Sequence, residues 1–190
     1  MATPHALSSE QAHSRLHQLT VLDVRTPGEY ATGHLPGALN IPLDQIPRAL
    51  SDIRQAAERG DILVVCASGA RSENACKALA QHGIATATLA GGTSAWAADS
   101  RELHHPHSSP RTTWSMERQV RLTAGTVVMA GLGLGLIHPA FQLVSAAIAG
   151  GLVFSALTNT CGMAAILAKL PHNRPHAGDL EATLAALRDR

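Results

Sequence analysis

Cys66 ends a run of branched apolar residues, ILVV, and opens a stretch of small ones, ASGARS, before a helical pattern begins. A buried strand that delivers a cysteine to the start of the next helix sets its sulfur among unpaired backbone N–H groups at the positive end of the helix dipole. Such surroundings suit a nucleophilic sulfur anion. Gly69 lets the loop curl so that amides point inward, and Arg71 adds a positive charge at the rim, which would draw anionic substrates into the same field. The candidate nucleophile is therefore Cys66, with Gly69 and Arg71 shaping the loop beside it. A cysteine that merely closes a strand is the competing reading. The small, flexible residues after it argue against ordinary core packing.

Other reactive side chains read as structural. Cys76 lies with Leu79 and Ala80 at helical spacing and is expected to be a buried thiol. Asp23 and Arg25, at a strand's end, are expected to pair and fix neighbouring loops in a supporting role. His34 reads as a fixed turn residue. His104, His105 and His107 form a loose cluster without a rigid scaffold, so no metal site is expected, and no motif asks for a cofactor.

A cysteine at a strand end needs a sheet behind it. Apolar runs at Val21 to Val24, Ala38 to Ile41, Ile62 to Val65 and Thr86 to Leu89 read as strands, alternating with helical patterns. Ser8 with Gln11 offers a capping box for a first helix, Pro42 suits a helix start, Arg71 to His82 makes a helix stopped by Gly83, and Gly91-Gly92 turns the chain before Trp96. Such alternation predicts an α/β domain, a parallel sheet flanked by helices, over residues 1–100.

The remainder of the 190 residues is of a different kind. No Asp, Glu, Lys or Arg occurs between Arg121 and Lys169, where the overall charged fraction would place about seven. Leu122 to Ile137 and Ala140 to Leu157, separated by His138-Pro139, have no polar face and predict an all-α transmembrane hairpin, placed at residues 116–172. Residues 101–115 form a linker, and 173–190 a cytoplasmic tail with a short amphipathic helix carrying Leu180, Leu184 and Leu187, with Asp179 as its N-cap. Arg111, Arg118 and Arg121 before the first span and Lys169 and Arg174 after the second, against a turn without Lys or Arg, put both termini in the cytoplasm. The first twenty residues lack an apolar core that would act as a secretory signal. Gly131 with Gly135, Ala146 with Gly150 and Ala147 with Gly151 give both spans the small-residue spacing that favours a homodimer in lipid. With 15 basic against 14 acidic residues and 3% aromatics, nucleic acid is excluded as a partner.

CASGARS resembles the Cys-x-x-Gly-x-Arg loop of single-domain rhodaneses. LDVRTPGEYATGHLPGALNIPL and LAGGTSAW resemble that family's first signature and its closing Gly-Gly to Trp element, in the family's order. SMERQVRLTAG and NTCGMAAILAKLPHNR are similar to the membrane domain of YgaP-like inner-membrane proteins, with His172 where Trp is usual. The resemblance implies a sulfurtransferase of the inner membrane: Cys66 is the catalytic residue that takes sulfur from thiosulfate, another small anionic donor or a protein persulfide, and passes it to cyanide or a thiol acceptor, while the backbone of Ala67, Ser68, Gly69, Ala70 and Ser72 with the Arg71 side chain forms the cradle that binds the anionic substrate. Lys commonly stands beside the Arg in this loop, and Ala70 departs from that pattern. Cys161 is expected to pack rather than to accept sulfur. Two other classes share these features: a sulfur or redox sensor acting on the hairpin, and a component of sulfur-anion export.

Overall fold

The computed structural model describes residues 5–105, 116–158, 167 and 177–189. The chain divides into two compact units, residues 1–113 with 174–190, and residues 114–173. Cys161, His107, Arg111, Lys169, His172 and Arg174 lie outside the described residues.

Five parallel strands form the sheet of the first unit, β1 (His5–Leu7), β2 (Thr20–Asp23), β3 (Leu39–Asn40), β4 (Ile62–Val65) and β5 (Ala87–Leu89), in the order β1-β5-β4-β2-β3. All four residues of the central β4 are buried, as a strand covered on both faces requires. Ile62, Val64 and Cys66 point into one core, under α3 (Ile46–Arg59) and α4 (Ala70–Gln81). Leu63 and Val65 point into the other, with Ala12 of α1 (Ser9–Ser14), Tyr30 of α2 (Pro27–Ala31) and Trp96 of α5 (Gly92–Ala98). The period of two thus aims Cys66 at the helix that follows it.

Element bounds differ from the sequence expectation by a residue or two, with two larger departures. Strand β1 was not expected: three residues carry too little periodicity to register. Pro42 does not start a helix directly, because Leu43–Gln45 first makes a 3-10 turn and α3 begins at Ile46 with Pro47 in its first turn. The capping box at Ser8 is formed, with Gln11 N–H donating to Ser8 Oγ at 3.2 Å and Ser8 N–H to Gln11 Oε1 at 2.9 Å.

The tail also departs from expectation. Helix α8 (Ala177–Arg188) starts two residues before Asp179, which therefore lies in the first turn and not at the N-cap. Leu180, Leu184 and Leu187 are buried in the same core as α3 and β4. Arg59 donates to the Leu187 carbonyl at 2.8 Å, and Arg188 to Asp52 at 2.7 Å. A helix that follows residues 114–173 in sequence is therefore part of the sheet domain that precedes them.

In the second unit, α6 (Met116–Gly135) and α7 (Gln142–Thr158) pack as a pair around a 3-10 turn at Pro139–Phe141, capped by His138 accepting from Ala140 N–H at 3.2 Å. Ser145 Oγ donates across the pair to the Val128 carbonyl at 3.0 Å. A side chain at Gly131 would collide with Ser145, and one at Gly135 with Gln142, whereas Gly150 and Gly151 face open space. Every exposed large hydrophobic among the described residues falls between Leu122 and Leu157. No helix among the described residues is long and apolar enough to cross a membrane: α7 has 17 residues, and α6 has 20 but includes Glu117, Arg118 and Arg121.

Candidate active site

Cys66 sits at the C-terminal end of the central strand and is fully buried. Gly69 N–H donates to its sulfur at 3.1 Å and Ser72 N–H at 3.4 Å, with the Ser72 hydroxyl 3.5 Å away. Gly69 reaches this geometry with φ of +100°, which L side chains avoid. The expected loop is thus brought together around the sulfur, with Gly69 and Ser72 supplying the direct contacts. Ser72 is fixed in turn: its hydroxyl donates to the Gly69 carbonyl at 2.8 Å and lies 2.7 Å from the buried Thr88 hydroxyl on β5. Thr88 was missed from the sequence, where nothing in the Thr86-Ala-Thr88-Leu89 run distinguishes one threonine from the other.

The Arg71 guanidinium binds Glu29 with both terminal nitrogens, at 2.8 and 2.9 Å. Burial raises the Glu29 pKa, but the bonds and charge of Arg71 and the bonds from Thr26 outweigh it and hold the carboxyl below its usual range. Burial likewise disfavours the Arg71 charge, and Glu29 with Cys66 and Asp23 more than restores it. Glu29 was missed from the sequence, although one signal was present: Thr26-Pro-Gly-Glu29 is a capping box with proline in the first turn, and Thr26 N–H meets Glu29 Oε2 at 3.2 Å. Its second role, as partner to a side chain 42 residues later, left no local signal.

Asp23 and Arg25 form the expected pair, fully hydrogen-bonded at 2.7 to 3.0 Å. Arg25 also donates to the Gly33 carbonyl at 2.8 Å, and Asn40 spans the Asp23 and Arg25 carbonyls at 3.0 and 2.9 Å. This network fixes both ends of the segment carrying α2, and so places Glu29. His34 is a packed turn residue as expected, stacked on Tyr30 at 3.7 Å and lowered in pKa by burial. Cys76 is buried, its pKa raised by that burial, with its thiol 3.6 Å from the Ala87 carbonyl. Among the described residues no three side chains could hold a metal.

The Gly91-Gly92 turn does more than reverse the chain. Thr93 N–H donates to the Cys66 carbonyl at 2.8 Å and Ser94 N–H to the Ala67 carbonyl at 3.0 Å, so the start of α5 holds the loop from behind. Gly92 has φ of +61°, and a Cβ there would overlap the Cys66 carbonyl oxygen and lie 2.6 Å from Ala67 C and O. Gly92→Ala must therefore displace the Cys66 loop, an overpacking cost of about 1–3 kcal/mol with left-handed strain of about 1 kcal/mol more. The denaturant midpoint should fall, and any activity that depends on Cys66 should fall at least tenfold, about the effect expected of misplaced reacting atoms. A variant that matches the wild type in both would exclude this role.

The sequence matches the family model described as a rhodanese-like domain over residues 4–99 and that described as the transmembrane domain of inner membrane protein YgaP-like proteins over residues 115–176. It is 34% identical to the uncharacterized protein slr1261 of Synechocystis over 81% of this chain and 84% of that protein. It is 39% identical to a protein named sulfurtransferase from Allochromatium vinosum over 48% of this chain and 86% of that protein. The fold is shared with a rhodanese-related protein of Thermoplasma volcanium, at a TM-score of 0.50 and 24% identity, covering 54% of this chain and 99% of that one.

Proposed function

The chain belongs to the rhodanese-like family of sulfurtransferases and carries a YgaP-like inner-membrane domain, and from that premise we propose that it relays sulfane sulfur through a persulfide on Cys66 at the cytoplasmic face of the membrane. The carrying observation is the sulfur of Cys66 held by the Gly69 and Ser72 amides at the end of the central strand. A Cys66 thiolate attacks the outer sulfur of thiosulfate or a persulfide, the donor's S–S bond breaks, and the leaving group departs with the bonding electron pair. The outer sulfur then takes up the negative charge that the amides stabilise. A thiol or cyanide attacks that outer sulfur and releases the Cys66 thiolate. Incubation with each donor followed by mass measurement of the intact chain tests the relay: an added sulfur on Cys66 that cyanide or a thiol removes supports it, and a Cys66 that never gains sulfur overturns it.

Placement at the inner membrane rests on the match to the membrane domain and on the exposed apolar residues of α6 and α7. Both termini facing the cytoplasm draws support from connectivity. Residues 174–190 join the same compact unit as 1–113, so the intervening segment must leave and re-enter on one side. Arg118 and Arg121 near the start of α6, against a turn at His138-Pro139 without Lys or Arg, put that side inside. Reporter fusions at both ends should read cytoplasmic, and one end outside would refute this. A homodimer in lipid would use the open Gly150 and Gly151 of α7, since Gly131 and Gly135 are taken up within the pair.

A further inference from the structure

We propose that this site selects its sulfur donor by charge, taking singly charged thiosulfonates or persulfides in preference to doubly charged thiosulfate, with Glu29 as the specificity-determining residue. This rests on Cys66 being the sulfur carrier. A guanidinium beside the nucleophile would ordinarily neutralise one charge of an anionic donor. Here that charge is already compensated: both terminal nitrogens bind Glu29, at 2.8 and 2.9 Å, and the carboxylate is nearly buried, with its side chain only 4% exposed. Glu29 stays ionised at neutral pH, because Arg71 and Thr26 hold its carboxyl below the usual range against the cost of burial.

The charge around the reacting sulfur then follows. Arg71 contributes one positive charge, Glu29 one negative charge, and the attacking Cys66 thiolate another. Asp23 and Arg25 cancel each other. The loop position beside Arg71 that could add a second cation is Ala70. The loop therefore carries a net negative charge of about one before any donor arrives, partly offset by the partial charges of two amides. Each further negative charge on a donor is repelled, and more strongly in a buried site than in water.

The reaction balances for either donor. A thiosulfonate loses its outer sulfur to the thiolate and leaves as a sulfinate, and thiosulfate leaves as sulfite. In both, the Cys66 S–S bond forms as the donor's breaks, and the leaving group keeps the electron pair. Methanethiosulfonate and thiosulfate thus present the same chemistry with one charge of difference.

The test compares kcat/KM for these two donors in the full-length protein in detergent, with cyanide as acceptor. The wild type should favour methanethiosulfonate. Glu29→Gln frees the guanidinium and should raise thiosulfate use about tenfold, with about twofold or less for the thiosulfonate, as one elementary charge at a partly screened distance would. Ala70→Lys should shift the same ratio without disturbing the Arg71–Glu29 pair, so a folding defect in Glu29→Gln does not decide the matter. A wild type that prefers thiosulfate overturns the proposal, and so does a donor ratio unchanged in Ala70→Lys and in any folded Glu29→Gln. Failure of both donors to place sulfur on Cys66 refutes instead the sulfur relay on which it stands.

Discussion

Cys66→Ser is expected to abolish sulfur transfer while the protein keeps its fold. The loss should be on the order of a thousandfold or more, as when the nucleophile of a catalytic unit that depends on it is removed. The chemical reason is specific to sulfur, since an alkoxide is far less accessible than a thiolate at neutral pH and cannot hold the transferable sulfur as a persulfide. The structural reason the fold survives is that the replacement is nearly isosteric. Its hydroxyl oxygen meets the same Gly69 and Ser72 amides that now donate to the sulfur at 3.1 and 3.4 Å, so no buried donor is orphaned. Thiocyanate formation from a donor and cyanide, read beside thermal melting, checks both halves. Wild-type turnover in a folded Cys66→Ser protein would remove Cys66 from the chemistry. Cys76 supplies the internal comparison, for it is buried against β5 away from the amide cradle, and Cys76→Ala should keep transfer.

What the sequence revealed about this site divides along the range of the interactions involved. Cys66, Gly69 and Ser72 were legible because their geometry is set within one strand-loop-helix passage, where residue type and spacing dictate which amides face the sulfur. Asp23 and Arg25 were legible as a pair because two residues separate them at a strand's end. Glu29 was not singled out from the sequence, since its ion pair with Arg71 depends on β2 and β4 lying side by side in register, Asp23 against Val65. The same limit hid the role of Gly92, whose reason for being glycine is the carbonyl of Cys66, just past the end of β4. The charge of Arg71 was therefore legible from sequence, and its carboxylate partner was not. The apolar segments, by contrast, were legible from composition: the long interval without charged residues contains all of α7 and all of α6 after its first six residues.

Helix α8 carries the other large effect, and Leu187→Ala is the substitution that measures it. Sequence periodicity identified its apolar face but not its partner, because the surface it covers is formed by α3, more than a hundred residues earlier. An isolated helix of 12 residues is marginal in water, so α8 owes its stability to packing. Leu187 is fully buried and Leu184 nearly so. Truncating either to alanine should cost about 2–5 kcal/mol, the usual range for a buried leucine whose site collapses only in part. The ion pair of Arg188 with the largely buried Asp52 adds less, because solvent screens the half-exposed guanidinium. Leu187→Ala should therefore lower the denaturant midpoint of the sheet domain clearly, whereas Arg188→Ala should barely move it. Leu157→Ala, at a position 82% exposed in the other unit, serves as the comparison and should leave that transition unchanged. If Leu187→Ala unfolds with the wild type, α8 is not part of the domain's cooperative core. If it behaves as expected, the sheet that presents Cys66 reaches full stability only after residues 114–173 have been made and the chain has returned, so a fragment ending at residue 113 should show the same deficit or a larger one.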